Sequence, residues 1–218
     1  MKRRVPIGLW AAAVLLPVLV GLIVYSLLPA GGQSSLSSAT GPPPGPYRGS
    51  EPPKGIMAPD FALKSYRRRL VRMSALRGKV VLVTFLDTDC KTKCPLIASA
   101  IGDALRLLSP SERRQVAALA LTVNPPSDTP ATARAFLHQR QALGLDFLLG
   151  TMKQMRPIWR AFHIVAAAET GNANTHSADA RVYDRDGEWV STQHLPPDLT
   201  PKNLAHDLRR ALRDDDRS

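Results

Sequence analysis

The chain has 218 residues, 44% hydrophobic and 22% charged, with 29 Lys and Arg against 18 Asp and Glu, for a formal net charge of +11. Such a charge alone suggests nucleic acid or anionic lipid as a partner. The N-terminal residues indicate an exported location, which excludes nucleic acid and leaves a solvated basic face beside a membrane or an acidic partner.

Ile7 to Leu28 carries no charged side chain and is apolar apart from Gly8, Pro17, Gly21, Tyr25 and Ser26. About 20 such residues suffice for a helix to cross a hydrocarbon core of ~30 Å. Lys2, Arg3 and Arg4 precede the run, and the first acid is Glu51. The expected organisation is therefore a basic cytoplasmic segment over 1–6, a transmembrane anchor over 7–28 and an extracytoplasmic (periplasmic) remainder, single-pass in the inner membrane. A cleaved signal peptide is the alternative, with Leu28-Pro29-Ala30 as its small-residue site. Either reading exports the rest of the chain, which keeps about +8 of the charge once the three leading basic residues are set aside. Residues 29–53, rich in Gly, Ser and Pro, read as a flexible tether. Residues 54–218 are long enough for one domain with one core.

Met57 to Phe61 opens that domain, and Leu70-Val71 forms a short hairpin arm with it. Val80 to Leu86 is an unbroken apolar run of strand length, the pattern of a strand buried on both faces. Asp87 to Lys93 forms the loop at its carboxyl end. Pro95 then starts a helix whose apolar side is Ile97, Ala98, Ile101, Ala104, Leu105 and Leu108. Val116 to Val123 is a second buried strand. Asp128 or Thr129 caps a helix running through Phe136 to Leu143. Asp146 to Leu149 is a strand, and Met152 to Phe162 is a short or kinked helix interrupted by Pro157. Ala178 to Tyr183 and Glu188 to Thr192 flank Asp184-Arg-Asp-Gly187, a hairpin signal with Gly where positive φ is needed. Thr200-Pro201 opens a last helix through Leu212. This order predicts an α/β domain with a central mixed sheet and flanking helices.

The two cysteines, Cys90 and Cys94, are separated by three residues. A bridge that short constrains the unfolded chain little, so they are not a scaffold staple. They stand where a buried strand hands over to a helix, the usual place for a site in an open α/β sheet. The helix N-terminus, Lys91 and Lys93 favour thiolate in one cysteine, opposed by Asp87 and Asp89. Paired thiolates are soft ligands suited to Cu(I) or zinc, and two are too few for a closed structural zinc site. Five histidines are candidates for a third ligand. His138 and His206 lie on predicted helices far from the strand ends, His163 follows a short helix, and His194 follows the second hairpin strand. His176, in Asn174-Thr-His-Ser177 just before the first hairpin strand, lies in a loop able to fold back over the cysteines. Neutral imidazole is a good copper ligand.

Gly78-Lys-Val-Val-Leu-Val-Thr-Phe85 with Cys90-x-x-x-Cys94-Pro95 resembles the Sco (SenC) copper-chaperone family. So do Val123-Asn-Pro-Pro-Ser-Asp-Thr-Pro130 and His176-Ser-Ala-Asp-Ala-Arg-Val-Tyr-Asp-Arg-Asp-Gly187, in order over about Ala58 to Leu212. The resemblance implies a thioredoxin-like fold on one N-terminal helix, and copper, Cu(I) or Cu(II), held by Cys90, Cys94 and His176. It further implies work on the copper centre of cytochrome c oxidase, as metallochaperone or as reductase of its ligand cysteines. The partners implied are a copper-receiving oxidase subunit and other copper chaperones. Three places depart from the family pattern. Leu86-Asp-Thr-Asp89 replaces an aromatic with His or Arg, Asn124 replaces a common aspartate, and Lys-Thr-Lys replaces a Pro-Asp spacer between the cysteines. The rival readings are a thiol-disulfide oxidoreductase without obligatory metal, a peroxidase-like relative using one sulfur, and a tethered binding module.

Overall fold

The unbroken apolar runs become the middle of a seven-stranded sheet. The computed structural model describes residues 45–172, 177–195 and 198–214. The anchor 7–28, most of the tether and His176 lie outside the described residues. Among the described residues no helix is long and apolar enough to cross a membrane.

In chain order the strands are β1 (Ala62–Ser65), β2 (Leu70–Arg72), β3 (Val80–Leu86), β4 (Val116–Thr122), β5 (Asp146–Leu149), β6 (Asp179–Tyr183) and β7 (Trp189–His194). The helices are α1 (Lys93–Leu107), α2 (Pro110–Arg114), α3 (Pro130–Gln139), α4 (Met152–Ala161), α5 (Ala167–Thr170) and α6 (Pro201–Asp214). The sheet order is β2-β1-β5-β4-β3-β6-β7. β3, β4 and β5 run parallel, while β1–β2 and β6–β7 add antiparallel edges. This is the mixed sheet that the order of elements predicts.

β3 is buried at all seven positions because helices cover both of its faces. Alternation along the strand sends Val80, Leu82 and Leu86 into the core shared with α1, α3 and α6. Val81, Val83 and Phe85 enter the core built with α4 and α5. Gly102 lets α1 approach the chain after α3, since a Cβ there would stand 2.7 Å from the Gln141 carbonyl. Gly187 takes φ +79° in the β6–β7 turn, as the Asp-Gly pattern requires.

Two local readings are corrected. α3 stops at Gln139 rather than reaching Leu143, which is exposed. Gln141 takes φ +53°, and the bonds Ala142 N–H to Leu137 C=O and Gln141 N–H to His138 C=O close a Schellman motif without glycine. α4 runs continuously through Pro157, where a proline ordinarily costs a helix about 3 kcal/mol. Burial of Met155 and Trp159, and the Trp159 Nε1–H bond of 3.0 Å to the Thr122 carbonyl, hold the helix in place. α2, α5 and a 3-10 turn over Ser74–Leu76 stand where no element was expected, although α2 opens on a reciprocal cap between Ser109 and Glu112 with Pro110 at its first position.

α3 starts on a reciprocal cap: Thr129 Oγ1 accepts from Thr132 N–H at 3.1 Å, and Thr129 N–H donates to Thr132 Oγ1 at 2.8 Å. Thr129→Ala is expected to lower stability by about 1 kcal/mol, read as a shift in urea midpoint. A shift below a few tenths would mean that water caps the helix equally well.

Candidate metal centre

The parallel alignment of β3 and β4 puts their carboxyl ends side by side, and the loops leaving them build the site. Val123 N–H bonds the Leu86 carbonyl at 3.0 Å, so the 87–94 and 123–128 loops emerge together. Cys90 lies in the first loop and Cys94 in the first turn of α1, one residue before Pro95. Neither forms a disulfide, and both are buried, at 1% and 0% exposure. Their side chains hydrogen-bond one another, and the Asp87 N–H donates to Cys94 Sγ at 3.4 Å. The Cys90 thiol also lies 3.7 Å from Thr92 Oγ1. Two thiols in contact, shielded from bulk water and supported by a backbone donor, form a soft donor pair of the kind thiophilic metals select.

The hydrogen bond with Cys90, then burial, push the Cys94 thiol far above its ordinary range, while the Asp87 N–H pulls the other way. The thiolate-favouring effect read from Lys91 and Lys93 therefore does not govern Cys94. Both lysines are exposed, so water screens them, whereas the thiol pays for its desolvation directly. Cys94 keeps its proton at neutral pH, and a bound metal has to displace it.

Two acids brace the loop before Cys90. Asp87, fully buried, accepts from Asp89 N–H at 2.8 Å and from the Asn124 amide at 3.2 and 3.3 Å. Burial raises its pKa against those bonds. A carboxylate at position 124 would face this one, so asparagine supplies a donor where a second acid would supply repulsion. Asp128 accepts from Thr88 N–H at 2.9 Å and from the Thr122 hydroxyl, tying the cysteine loop to the end of β4. Neither acid's role shows in the sequence, because the partners are 40 and 37 residues away.

Burial lifts the Asp128 carboxyl to about 6 from 3.8. A carboxyl raised on folding holds its proton better in the native state. Its contribution is therefore fully favourable below pH 4 and is lost as pH rises through about 6, amounting to about 3 kcal/mol. Asp128→Asn is expected to flatten that part of the pH–stability curve between pH 4 and 6, measured by urea unfolding at fixed salt. Identical slopes in the two proteins would show that Asp128 titrates normally.

Among the described residues, no group of three or more His, Cys, Asp or Glu side chains could hold a metal ion. His138 is exposed on α3, and His206 on α6 contacts Asp207 at 3.1 Å. His163, at φ +53°, terminates α4: its N–H bonds the Arg160 carbonyl and Ile164 N–H bonds the Trp159 carbonyl. His194 is exposed at the end of β7, opposite Asp179. None of these four joins the cysteines in such a group. Because β6 is antiparallel to β3, the chain arrives at β6 beside the carboxyl end of β3, where the Thr84 hydroxyl donates to the Asp179 carbonyl at 2.7 Å. Ser177 is fixed there by two bonds of 3.1 Å to the Val165 backbone, and α5 is fixed by the Ala168 N–H bond to the Val123 carbonyl.

With a buried Cys-x-x-x-Cys pair at the mouth of a seven-stranded mixed sheet, the chain matches the SCO1/SenC family profile over residues 49–213. The chain belongs to the SCO1/SenC family. The fold is the thioredoxin-like mixed α/β fold. ScoI of Bradyrhizobium japonicum, solved with copper bound, is 28% identical, with 72% of this chain and 99% of that chain covered and a TM-score of 0.62. Sco1 of yeast shares the fold at 18% identity, with 74% and 97% covered and a TM-score of 0.62. ScoI of Arabidopsis thaliana, also solved with copper bound, shares it at 16% identity, with 73% and 99% covered and a TM-score of 0.60. No match was found among curated proteins.

Proposed function

We propose that this chain is a membrane-anchored copper carrier of the SCO1/SenC type, in which Cys90, Cys94 and His176 hold copper as cargo for the copper centre of cytochrome c oxidase. The buried, mutually bonded thiol pair carries the reading. The fit to copper rests on donor chemistry: two soft sulfurs that lack, among the described residues, the further ligands a structural zinc site needs. The third position goes to His176, one residue before the anchored Ser177 and three before β6. The apolar segment 7–28 is the anchor, the stretch from 29 up to the fastened Tyr47–Ser50 is the tether, and the domain faces the periplasm. Three protein ligands leave room for an incoming ligand from an acceptor, such as an oxidase subunit or a second chaperone.

The test is a Cu(I) titration of the reduced full-length chain against a chromophoric competitor. One equivalent per chain is expected, with none once the cysteines are oxidised to a disulfide. Failure of the reduced chain to compete for Cu(I) would sink the reading. A thiol-disulfide oxidoreductase is the second reading, favoured by the contact between the two thiols. It requires both cysteines but not His176, so a His176→Ala chain with undiminished, copper-independent disulfide reduction would favour it.

A further inference from the structure

We propose that the β1–β2 hairpin and the exposed side of α3 form a docking surface for anionic phospholipid headgroups, separate from the thiol site. From Lys64 to Lys79 the chain carries seven Lys or Arg and no Asp or Glu. All seven are exposed, and they lie on the edge hairpin and the segment that returns from it to β3. The turn of the hairpin faces α3 across an open cleft of about 680 Å³, to which Arg67, Arg68, Arg134 and His138 contribute.

Much of this charge is not spent inside the protein. Arg69 is paired with Asp146. Arg67 donates to neutral acceptors only, the Tyr66 hydroxyl and the Leu143 carbonyl, and so keeps its full charge. Among the described residues, no side-chain hydrogen bond or ion pair engages Lys64, Arg68, Arg72, Lys79 or Arg134. Basic side chains left without acids recruit anions from outside, and near an anionic bilayer each is worth about a fivefold gain in partition.

The surface also has an apolar component. Leu70 and Leu143 are exposed at 56% and 47%, set among these arginines. Cations around exposed leucines match the headgroup–acyl boundary of a bilayer. Position argues against a copper-exchange partner as the occupant. Such a partner must reach the thiols beyond the carboxyl end of β3, whereas the hairpin turn is held at the amino end of β5 by Tyr66 N–H to the Phe147 carbonyl and by Arg69 to Asp146. The occupied edge would leave the cysteine loop accessible.

The experiment places the full-length chain in nanodiscs of phosphatidylcholine alone or with one-third phosphatidylglycerol, and follows amide hydrogen exchange. Slower exchange by about fivefold or more over residues 64–79 is expected in the anionic discs only, reversed by 0.5 M salt because screening then acts within a few ångströms. The triple variant Arg68→Gln, Arg72→Gln, Arg134→Gln is expected to lose that protection while keeping the thermal midpoint of the parent. Equal exchange in both discs overturns the proposal, as does a chain that binds neither disc. Binding of both discs with protection confined to the anionic ones supports it. Protection by an acidic polyglutamate peptide that anionic discs do not reproduce would overturn it in favour of a protein partner.

Discussion

Cys90→Ala and Cys94→Ala are each expected to weaken Cu(I) binding by well over 100-fold, leaving no stoichiometric copper in a competitive titration. Loss of a mere outer-shell partner costs about 10–100-fold in metal affinity, and loss of a ligand costs more. The structure makes the two variants unequal in another respect. Cys94 is at 0% exposure in the first turn of α1, packed with Ile97 and Leu86 in the larger core, and accepts the Asp87 N–H. Its replacement leaves that donor without an acceptor and removes a buried sulfur, at a cost of about 1–3 kcal/mol. Cys90 is buried in the same core, but the Asp87 N–H is met by Cys94, and the Cys90 thiol lies instead 3.7 Å from Thr92 Oγ1 at an exposed residue. Cys90→Ala should therefore lose copper with the smaller change in urea midpoint. Serine at both positions separates the effects, since Cys94→Ser restores a polar group without restoring a soft ligand. Cu(I) bound one-to-one by either single alanine variant would mean that the pair is not the metal site.

Much of this site is legible in the sequence, because its chemistry is local there. Cys90, Cys94 and Pro95 lie within six residues of one another, directly after a strand whose burial is written in seven successive apolar or β-branched positions. Thr129-Pro130 and Asp-Gly187 likewise mark a helix start and a turn through short-range rules. What escapes is non-local. Asn124 and Asp87 look like two unrelated departures from the family pattern, yet they are partners, amide to carboxylate. His163 and Gln141 look like an ordinary loop histidine and a helix interior, because the left-handed helix ends they form normally advertise themselves with glycine. Pro157 argues against a continuous helix on propensity alone, and the burial of Met155 and Trp159 with the Trp159 bond to Thr122 overrules it.

Asp207 is the strongest case of a residue whose importance no local pattern reveals, and replacing it is expected to have the largest effect on stability. On a helix rich in charge it reads as part of a solvated face, but it is at 0% exposure. Its carboxylate accepts from Arg48 N–H at 2.7 Å, Gly49 N–H at 3.0 Å, Ser191 Oγ at 2.6 Å and Gln193 Nε2 at 2.7 Å. It thus fastens Tyr47–Ser50, within the Pro- and Gly-rich stretch, to β7 and α6, where Ser50 also pairs with Thr192. Tyr47 joins the core beneath. Asp207→Ala leaves four donors without their acceptor in a place closed to bulk water, and an effect of about 3–5 kcal/mol is expected in urea unfolding. Asp207→Asn retains one acceptor oxygen and should cost less than alanine. Trypsin should then cut after Arg48 faster in the alanine variant than in the parent, since the leading segment has lost its main fastening. Copper bound per folded chain should not change, because these bonds serve the β7 edge and not the cysteine loop. A stability loss under about 1 kcal/mol would show that water reaches these donors and that the fastening is made elsewhere.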